Sequence, residues 1–565
     1  MPVELTTAQG EFLLQNPDAP VWQVYPRPQM KRNSYLNLNG WWELTCAEDA
    51  ALPEKYDRAI RVPFCPECVL SGVGTHFPDG QYLYYRRTFT LPEGFCAGRV
   101  LLHFGAIDQI SDIYVNQKHL CHHEGGYDSF SVDITEVLQE SNELVIRVLD
   151  DLRSHVMPYG KQVLKRGGMW YTPVSGIWQT VWLESVPQRY IRRLKIETGA
   201  DWVSIDTEDP SMDGAVTVGS LSAPLSGGKA TLTIPDPHLW TPEDPHLYDM
   251  TVTAGEDRVE SYFALRTLSI ETVDGYPRLL LNGKPYFFHG LLDQGYWPDG
   301  LFTPAAPECY AEDILAMKAL GFNMLRKHIK VEPEEFYYQC DKLGMVVFQD
   351  MVNNGDYNFL RDTALPTVGI QRLPDKHLHK DPATRKVFLE QMERTVRQLY
   401  NHPSICYWTI FNEAWGQFDS DAVCEQFRKL DSSRFIDATS GWFRRNNTDV
   451  DSRHVYFREV KLKATDKPLV LSEFGGYSYK PEGHVFNTEQ TYGYGKFEDP
   501  KQFREALEKL YRDQIVPLVK KGLCATVYTQ VSDVEDETNG LLSYDRKICK
   551  AEEHAMQAIA KELML

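Results

Sequence analysis

The chain has 565 residues, of which 42% are hydrophobic and 24% are charged, and its formal net charge is −20. This length predicts roughly three to four domains, and the negative charge argues against a nucleic-acid partner and an anionic membrane surface. Residues 1–20 contain no basic segment followed by an apolar one, and the chain has no run of about 18 apolar residues. We therefore expect a cytoplasmic protein without a transmembrane helix.

The first two predicted domains are built from β-strands. Residues 1–190 hold short β-rich runs separated by Gly, Pro, Asn and Asp, which predicts a jelly-roll sandwich. The runs are "YLYYRRTFTL" (82–91), "RVLLHFGAI" (99–107), "ISDIYVNQKHL" (110–120) and "NELVIRVLDD" (142–151). Residues 191–270 continue in the same style, and their length is typical of an immunoglobulin-like sandwich.

The cysteines raise the question of a metal site. There are 11 of them, scattered along the chain, and in a protein without an export signal they predict free thiols. Cys65 and Cys68 in "CPEC", with "CHH" at 121–123, are candidate zinc ligands. A second ligand pair at the spacing of a zinc finger is missing, so unrelated thiols are the alternative. We expect neither a required metal nor another cofactor.

The pattern changes in residues 271–565, where short apolar runs alternate with amphipathic helical segments. Eight such runs over this length predict a (β/α)8 TIM barrel. A doubly wound sheet is the alternative, but no G-x-G-x-x-G follows the first run. The runs lie at 286–292, 322–329, 344–351, 404–415, 434–442, 454–457, 468–476 and 522–533.

Two of these runs end in a glutamate. "YWTIFNEAWGQ" (407–417) delivers Glu413 and "PLVLSEFGG" (468–476) delivers Glu473. Catalytic residues of such a barrel stand at the C-terminal ends of its strands, and two carboxylates facing one cavity are the apparatus of glycoside hydrolysis. A single glutamate at a strand end is commonly a salt-bridge or cap partner, whereas two in equivalent positions favour catalysis.

At these residues the sequence resembles glycoside hydrolase family 2, the family of β-galactosidases, β-glucuronidases and β-mannosidases. "FNEAWGQ" resembles that family's Asn-Glu acid/base motif, and "LSEFGG" resembles its nucleophile motif. Further resemblances follow in the family's order over nearly the whole chain: "PRPQMKRNSYLNLNGWWEL" (26–44), "WYTPVSGIWQTVWLE" (170–184), "LWTPEDPHLYDMTV" (239–252) and "LLLNGKPYFFHG" (279–290). The resemblance implies a multidomain β plus α/β fold.

The resemblance also implies a retaining mechanism with named roles. Glu473 would be the nucleophile, and Glu413 would act first as the acid and then as the base. Asn412 would bind the sugar 2-hydroxyl, Tyr456 would hold an oxygen of the nucleophile, and Arg326 would keep the nucleophile ionised. Arg326 could instead pair with a helix acid, and Tyr456 could belong to the core.

Other substrate contacts are expected at or near strand ends, where the sequence departs in part from the family. Asp293 lies in the loop after the first run, and Tyr528 stands where a Trp is common. Aromatic residues in such places either stack on a sugar or pack the rim. The full set of these expected contacts is His328, Asp293, Trp415, Trp442, Tyr528 and Asp533.

The sugar itself is open at this stage. Family glucuronidases carry Asn-x-Lys after strand eight, whereas this region reads "SDVEDETNGLLSYDRK", which disfavours ordinary glucuronidase specificity. From the frequency of activities in the family, and not from a residue, we expect a terminal β-galactoside, with a β-uronide as the alternative. Lys161, Lys165 and Arg166 are either a solvated charge run or a site for an anionic substituent. A non-catalytic carbohydrate-binding protein, a transglycosidase and a homodimer remain open.

Overall fold

The computed structural model describes residues 4–367, 370 and 374–564. In this part of the chain, no helix has the length and apolarity that a membrane crossing requires.

The N-terminal β-structure is a sandwich of a four-stranded and a six-stranded sheet. Its core holds Leu44 and Ile146 from the larger sheet and Leu102 and Leu183 from the smaller one. In spatial order, the smaller sheet contains Tyr35–Asn37, Val181–Val186, Arg99–Phe104 and Phe130–Asp133, and the larger contains Arg58–Val62, Gly40–Ala47, Tyr82–Phe89, Asn142–Leu149, Ile110–Val115 and Lys118–Glu124. Ile107–Asp108 pairs with Gly176–Ile177.

One predicted strand of this sandwich is two strands. The run 110–120 breaks into Ile110–Val115 and Lys118–Glu124, which pair in antiparallel fashion. Asn116 and Gln117 form the connection with φ angles of 50° and 66°. Such a two-residue turn with positive φ joins adjacent strands tightly, and the amide of Asn116 steadies it by donating to the carbonyl of Val137 at 2.7 Å.

A smaller sandwich follows. Alternate residues such as Val203, Val216 and Val252 form its core. Its two sheets contain, in spatial order, Lys195–Thr198, Trp202–Asp206 and Lys229–Thr233, then Leu221–Leu225, Gly214–Val218, Tyr248–Ala254 and Asp257–Phe263. A three-stranded sheet of Leu268–Val273, Tyr276–Leu281 and Lys284–Pro285 leads into the next part of the chain.

The C-terminal part is the predicted barrel. All eight predicted runs supply strands of one parallel sheet, whose spatial order is 5-4-3-2-1-8-7-6. Barrel strands 1 to 8 are Phe288–Asp293, Met324–Lys327, Val346–Asp350, Ile405–Asn412, Phe435–Ser440, Asp451–Val455, Leu469–Gly475 and Leu523–Thr529. Nearly every residue in them is buried, because such a barrel packs side chains on both faces.

Helices cover the outside of the barrel. The longest, Pro382–Leu399, begins where the Asp381 side chain accepts from the N–H of Thr384, with proline at its first position. The other described α-helices are Ala8–Gln15, Glu308–Ala319, Glu334–Leu343, Leu365–Thr367, Ser420–Leu430, Pro500–Leu510, Val516–Val519 and Glu553–Leu563. Short 3-10 or π segments span Val69–Ser71, Thr135–Val137, Leu360–Ala364, Asp375–His377 and Tyr511–Ile515, and the strands Tyr477–Tyr479 and Gly495–Phe497 pair beside the barrel.

Candidate active site

The two predicted carboxylates lie at the C-terminal ends of barrel strands 4 and 7 and face each other. An oxygen of Glu413 and an oxygen of Glu473 lie within 4.8 Å. The side chain of Glu413 is 27% exposed and that of Glu473 is 5% exposed. Glu413 and Ala414 have φ angles of 49° and 64°, a conformation that costs energy in residues other than glycine and is found at functional sites. This turn ends the apolar strand and presents Glu413 to the cavity.

Glu473 is held by cationic and hydroxyl donors. Arg326 Nη1 donates to its Oε1 at 3.1 Å, the Tyr456 hydroxyl donates to its Oε2 at 2.5 Å, and His454 Nδ1 lies 3.5 Å from Oε2. Burial alone would raise the pKa of Glu473, but His454, Arg326, His328 and the hydrogen bond from Tyr456 together bring it below its ordinary value. The carboxyl is therefore kept ionised.

Arg326 connects three strands beneath the cavity. Its guanidinium is 1% exposed and donates to Asp350 Oδ1 at 2.9 Å, to the Ser472 carbonyl at 3.0 Å and to Asn412 Oδ1 at 2.8 Å. Because the Asn412 oxygen is occupied, its amide nitrogen is the atom left for a substrate. His328 Nδ1 lies 2.9 Å from the other oxygen of Asp350, so the same carboxylate orients both side chains.

His454 lies between the two glutamates, and the sequence analysis missed it. Its Nδ1 is 2.8 Å from Glu413 Oε1, and its Nε2 is 3.0 Å from the Ser440 hydroxyl. Ser440 donates its one hydrogen to Ser472, which in turn donates to the carbonyl of Arg453. The Ser440 oxygen therefore accepts from Nε2–H, and Nδ1 is the ring atom that meets Glu413. The sequence signal that could have indicated His454 is its position two residues before Tyr456, at the end of barrel strand 6.

Asp293 does not join this cluster, contrary to the prediction. Its carboxylate pairs with Lys327 Nζ at 2.6 Å, and Lys327 also binds Glu332 at 2.9 Å and lies over the Phe336 ring. Successive side chains of a strand point to opposite faces, so Asp293 and Lys327 face the surrounding helices while Arg326 faces the interior.

Tyr528 and Asp533 are also placed elsewhere. Tyr528 is fully buried and packs on Phe474 and Tyr511 outside the barrel. The next residue, Thr529, faces inward, and its hydroxyl is 2.9 Å from that of Tyr456. Asp533 is 2% exposed and is neutralised by Lys550 Nζ at 2.5 Å. The expected sugar contacts of both residues are therefore corrected to structural roles.

The two predicted tryptophans differ in position. The Trp442 ring meets the His454 ring edge-on at 5.6 Å, so it borders the catalytic pair. Trp415 is 5% exposed and packs against Tyr159, Trp170 and Tyr357. Trp170 and Tyr357 are more exposed than Trp415, so they, rather than Trp415, offer faces to the opening.

A loop of the first sandwich, residues 157–172, crosses the mouth of the barrel. The Tyr159 N–H donates to the Asn353 carbonyl after strand 3. The Thr172 N–H donates to Glu535 at 2.9 Å, and Arg166 Nη1 lies 3.4 Å from Glu535 and 3.5 Å from Asp536. The acidic run after strand 8 is therefore buried beneath this loop.

Glu537, rather than Asp533, is the acid after strand 8 that lies near the catalytic pair. It is 4% exposed, and its Oε2 accepts from the Tyr171 hydroxyl at 2.6 Å and from Gln530 at 2.8 Å. Burial raises the pKa of Glu537, the charge of Lys161 opposes this rise, and the charge of Glu473 adds to it. Glu537 thus lies within electrostatic reach of the nucleophile.

The cysteine motif is not assembled into a ligand set. All 11 cysteines are free thiols, with Cys65 and Cys68 buried and Cys121 partly exposed. Within residues 4–367, 370 and 374–564, the group with metal-ligand spacing is Glu413, His454 and Glu473, which is the catalytic cluster itself.

Models of one protein family match most of this chain. Three models match in chain order: the glycosyl hydrolase 2 galactose-binding domain-like model over residues 78–212, the glycosyl hydrolases family 2 model over 197–266, and the glycosyl hydrolases family 2 TIM barrel model over 273–477.

Individual relatives are distant. The β-glucuronidase of Canis lupus familiaris is 26% identical over 381 residues, covering 59% of this chain and 54% of that protein. A β-galactosidase of Thermoanaerobacter pseudethanolicus is 25% identical over 495 residues, covering 80% of this chain and 62% of that protein. The chain spans about half the length of the first curated relatives it matches.

Solved structures share the fold over nearly their full length. The β-D-glucuronidase of Dictyoglomus thermophilum has a TM-score of 0.74 at 18% identity, over 95% of this chain and 98% of that one. The β-galacturonidase of Eisenbergiella tayi bound to galacturonate has a TM-score of 0.69 at 17% identity, over 96% of this chain and 99% of that one.

Proposed function

The chain belongs to glycoside hydrolase family 2, and from this premise we propose that it is a retaining, exo-acting β-glycosidase. The observation that carries the proposal is the approach of Glu413 and Glu473, with an oxygen of each within 4.8 Å. Retaining enzymes hold their carboxyl groups about 5 Å apart, whereas inverting enzymes keep roughly 6.5–9.5 Å between them to admit a water.

In the first step, Glu473 attacks the anomeric carbon of the terminal sugar. Its ionised carboxylate forms the C–O bond while the bond to the leaving oxygen breaks, and Glu413 gives its proton to that oxygen. The departing group leaves neutral, and the sugar stays attached to Glu473 as an ester.

In the second step, water resolves that ester. Glu413, now a carboxylate, takes a proton from the water as the water attacks the anomeric carbon, and Glu473 leaves with its electron pair. Two inversions give net retention, and both glutamates return to their starting states.

Neighbouring residues prepare the pair for these steps. Arg326 and Tyr456 hold the Glu473 oxygens in fixed positions, so little rearrangement is needed as charge moves during attack. His454 Nδ1 lies 2.8 Å from Glu413 Oε1 and orients that carboxyl as it changes from acid to base. The amide nitrogen of Asn412 is the donor proposed for the sugar 2-hydroxyl.

The substrate proposed is a small glycoside or oligosaccharide with a terminal β-linked hexose or hexuronic acid. Relatives named β-galactosidase and relatives named β-glucuronidase support both kinds of sugar. A carbohydrate-binding protein without turnover is disfavoured, because such a protein has no need of two glutamates, each with its own proton-handling or cationic partner.

The test is nitrophenol release from a panel of aryl β-glycosides: galactoside, glucoside, glucuronide, galacturonide, mannoside, fucoside and α-L-arabinopyranoside. We expect at least one strong substrate. Glu473→Gln should lower kcat on it by at least about 10³-fold, the scale seen when a catalytic nucleophile is lost. Glu498→Gln, at an exposed position, is the control and should retain full activity. Activity of Glu473→Gln within tenfold of wild type would refute the nucleophile assignment.

A further inference from the structure

Lys161 lies in the loop that crosses the mouth and has no direct partner among the side chains that the structure describes. Its side chain is half-buried. It forms no hydrogen bond and no ion pair with any residue in the described ranges of the chain. The nearest acid that its charge reaches is Glu537, without direct contact, so the ammonium is available to a ligand that brings a negative charge.

The neighbours of Lys161 fix where it lies. Gly160, with φ of 61°, packs so closely on the loop after barrel strand 2 that an added Cβ would lie 3.1 Å from the carbonyl oxygen of Ile329. On the other side, the Lys161 carbonyl accepts from the N–H of Tyr171 at 3.0 Å, and the Tyr171 hydroxyl binds Glu537. Lys161 is therefore held between His328, which precedes Ile329, and Glu537.

The electrostatics agree with this placement. The pKa of His328 is lowered mainly by burial, and the charge of Lys161 lowers it further. The same charge opposes the rise in the pKa of Glu537 that burial causes. His328 and Glu537 each interact in turn with Glu473. Lys161 therefore lies on the nucleophile's side of the cavity, where the terminal sugar of an exo-acting enzyme binds.

The other two cations of the loop are not equivalent. Arg166 is engaged by Glu535 and Asp536 and lies over the Phe486 ring. Lys165 is exposed. Of the three cations, Lys161 combines partial burial, proximity to the nucleophile and the absence of a direct ion pair with the described acids.

We propose that Lys161 binds the carboxylate of a terminal β-linked uronic acid, so that the substrate class is β-uronides rather than neutral β-hexosides. This inference rests on the glycosidase function proposed above. A single ammonium matches a single carboxylate, whereas a doubly charged phosphate or sulfate-rich sugar would place excess negative charge beside Glu537 and Glu473. Arg166 of the same loop does not compete for this role, because Glu535 and Asp536 after strand 8 already pair with it.

The test compares four nitrophenyl glycosides in pairs: β-glucuronide with β-glucoside, and β-galacturonide with β-galactoside. Wild type should prefer the uronide of at least one pair. Lys161→Met should lower kcat/KM for that uronide by about 10- to 100-fold, the range for losing a hydrogen bond to a charged group, and should leave or improve activity on its neutral partner. Lys165→Met, in the same loop, should change neither.

The outcomes separate this inference from the function on which it rests. A wild type that prefers the neutral member of both pairs overturns the inference and leaves the glycosidase intact, and so does equal loss on both members in Lys161→Met. No release from any aryl glycoside in the full panel overturns the proposed function and the inference with it. Binding to Glu473→Gln gives a readout without turnover: glucuronate or galacturonate should raise its Tm more than the neutral sugar does, and adding Lys161→Met should remove that difference.

Discussion

Individual residues give the two catalytic glutamates different environments. Glu473 is enclosed, with Arg326 and Tyr456 each bound to one of its oxygens. Glu413 is more exposed, stands on a left-handed turn and has His454 as its close partner. One carboxyl is thereby stabilised as an anion, and the other is open to substrate and oriented by an imidazole. This asymmetry is what a double displacement requires.

Tyr456 should help to determine the pH below which kcat/KM falls. The limb of kcat/KM at low pH reports protonation of Glu473 in the free enzyme, because the protonated carboxyl cannot attack. The Tyr456 hydroxyl is one of the groups that lower the pKa of Glu473. Removing it in Tyr456→Phe should raise that pKa and move the loss of activity to higher pH.

The measurement is kcat/KM against pH for Tyr456→Phe and for a matched control. Tyr494→Phe keeps the ring that stacks on Tyr456 at 3.9 Å and leaves the hydroxyl on Glu473 in place. Its acid limb should coincide with that of wild type. An unchanged acid limb in Tyr456→Phe would mean that this hydroxyl does not tune the nucleophile.

At the scale of strands and helices, the strand entering the acid/base residue is anchored by a buried carboxylate. Asp341 is fully buried and accepts from the Tyr262 hydroxyl at 2.7 Å and from the Ser404 N–H at 2.8 Å, and it lies 2.7 Å from His402 Nδ1. It joins a barrel helix to the start of barrel strand 4 and to the second sandwich.

Asp341→Ala should therefore destabilise the fold. Three buried donors would lose their acceptor, and leaving such groups unsatisfied costs about 1–3 kcal/mol each before relaxation, so we expect a net loss of about 2–4 kcal/mol in the free energy of unfolding. Urea unfolding measures this loss. Asp466→Ala, at an exposed position, should change stability by less than about 0.5 kcal/mol, and equal midpoints for the two variants would refute the anchoring role.

The positions of the barrel strands could be predicted from the sequence, whereas the side of the sheet on which each side chain lies could not. Apolar runs located all eight barrel strands, and with them the ends that carry Glu413 and Glu473. Whether Tyr528 or Thr529 faces the cavity depends on which side of the sheet each residue takes, and a shift of one residue reverses this. Asp293 was misassigned for the same reason.

Contacts between distant segments were the other limit. Glu537 belongs to an acidic run that is typical of a solvated loop, and only the fold shows that Tyr171, 366 positions earlier, buries it. His454 has no local signature beyond its spacing from Tyr456. The break at Asn116 and Gln117 was hidden because the residues on both sides favour strands.

On the scale of the whole molecule, the active site is completed by two parts of the chain. The barrel supplies the glutamates and their partners, and the first sandwich supplies Lys161, Trp170 and Tyr171. A buried network binds this sandwich to the second one: Arg32 donates to Asp257 at 2.7 and 2.9 Å and to Glu184 at 3.3 Å. The loop over the mouth is thus carried by a fixed scaffold, which is what a specificity contact needs.

The most direct test of the account is to trap the sugar on its nucleophile. Glu413→Ala removes the base that resolves the intermediate, while a dinitrophenyl glycoside of the preferred sugar has a leaving group that needs little protonation. We expect one sugar per chain by mass spectrometry, located on the peptide that contains Glu473. Absence of an adduct despite a stoichiometric release of dinitrophenol, or an adduct on another residue, would contradict the double displacement through Glu473.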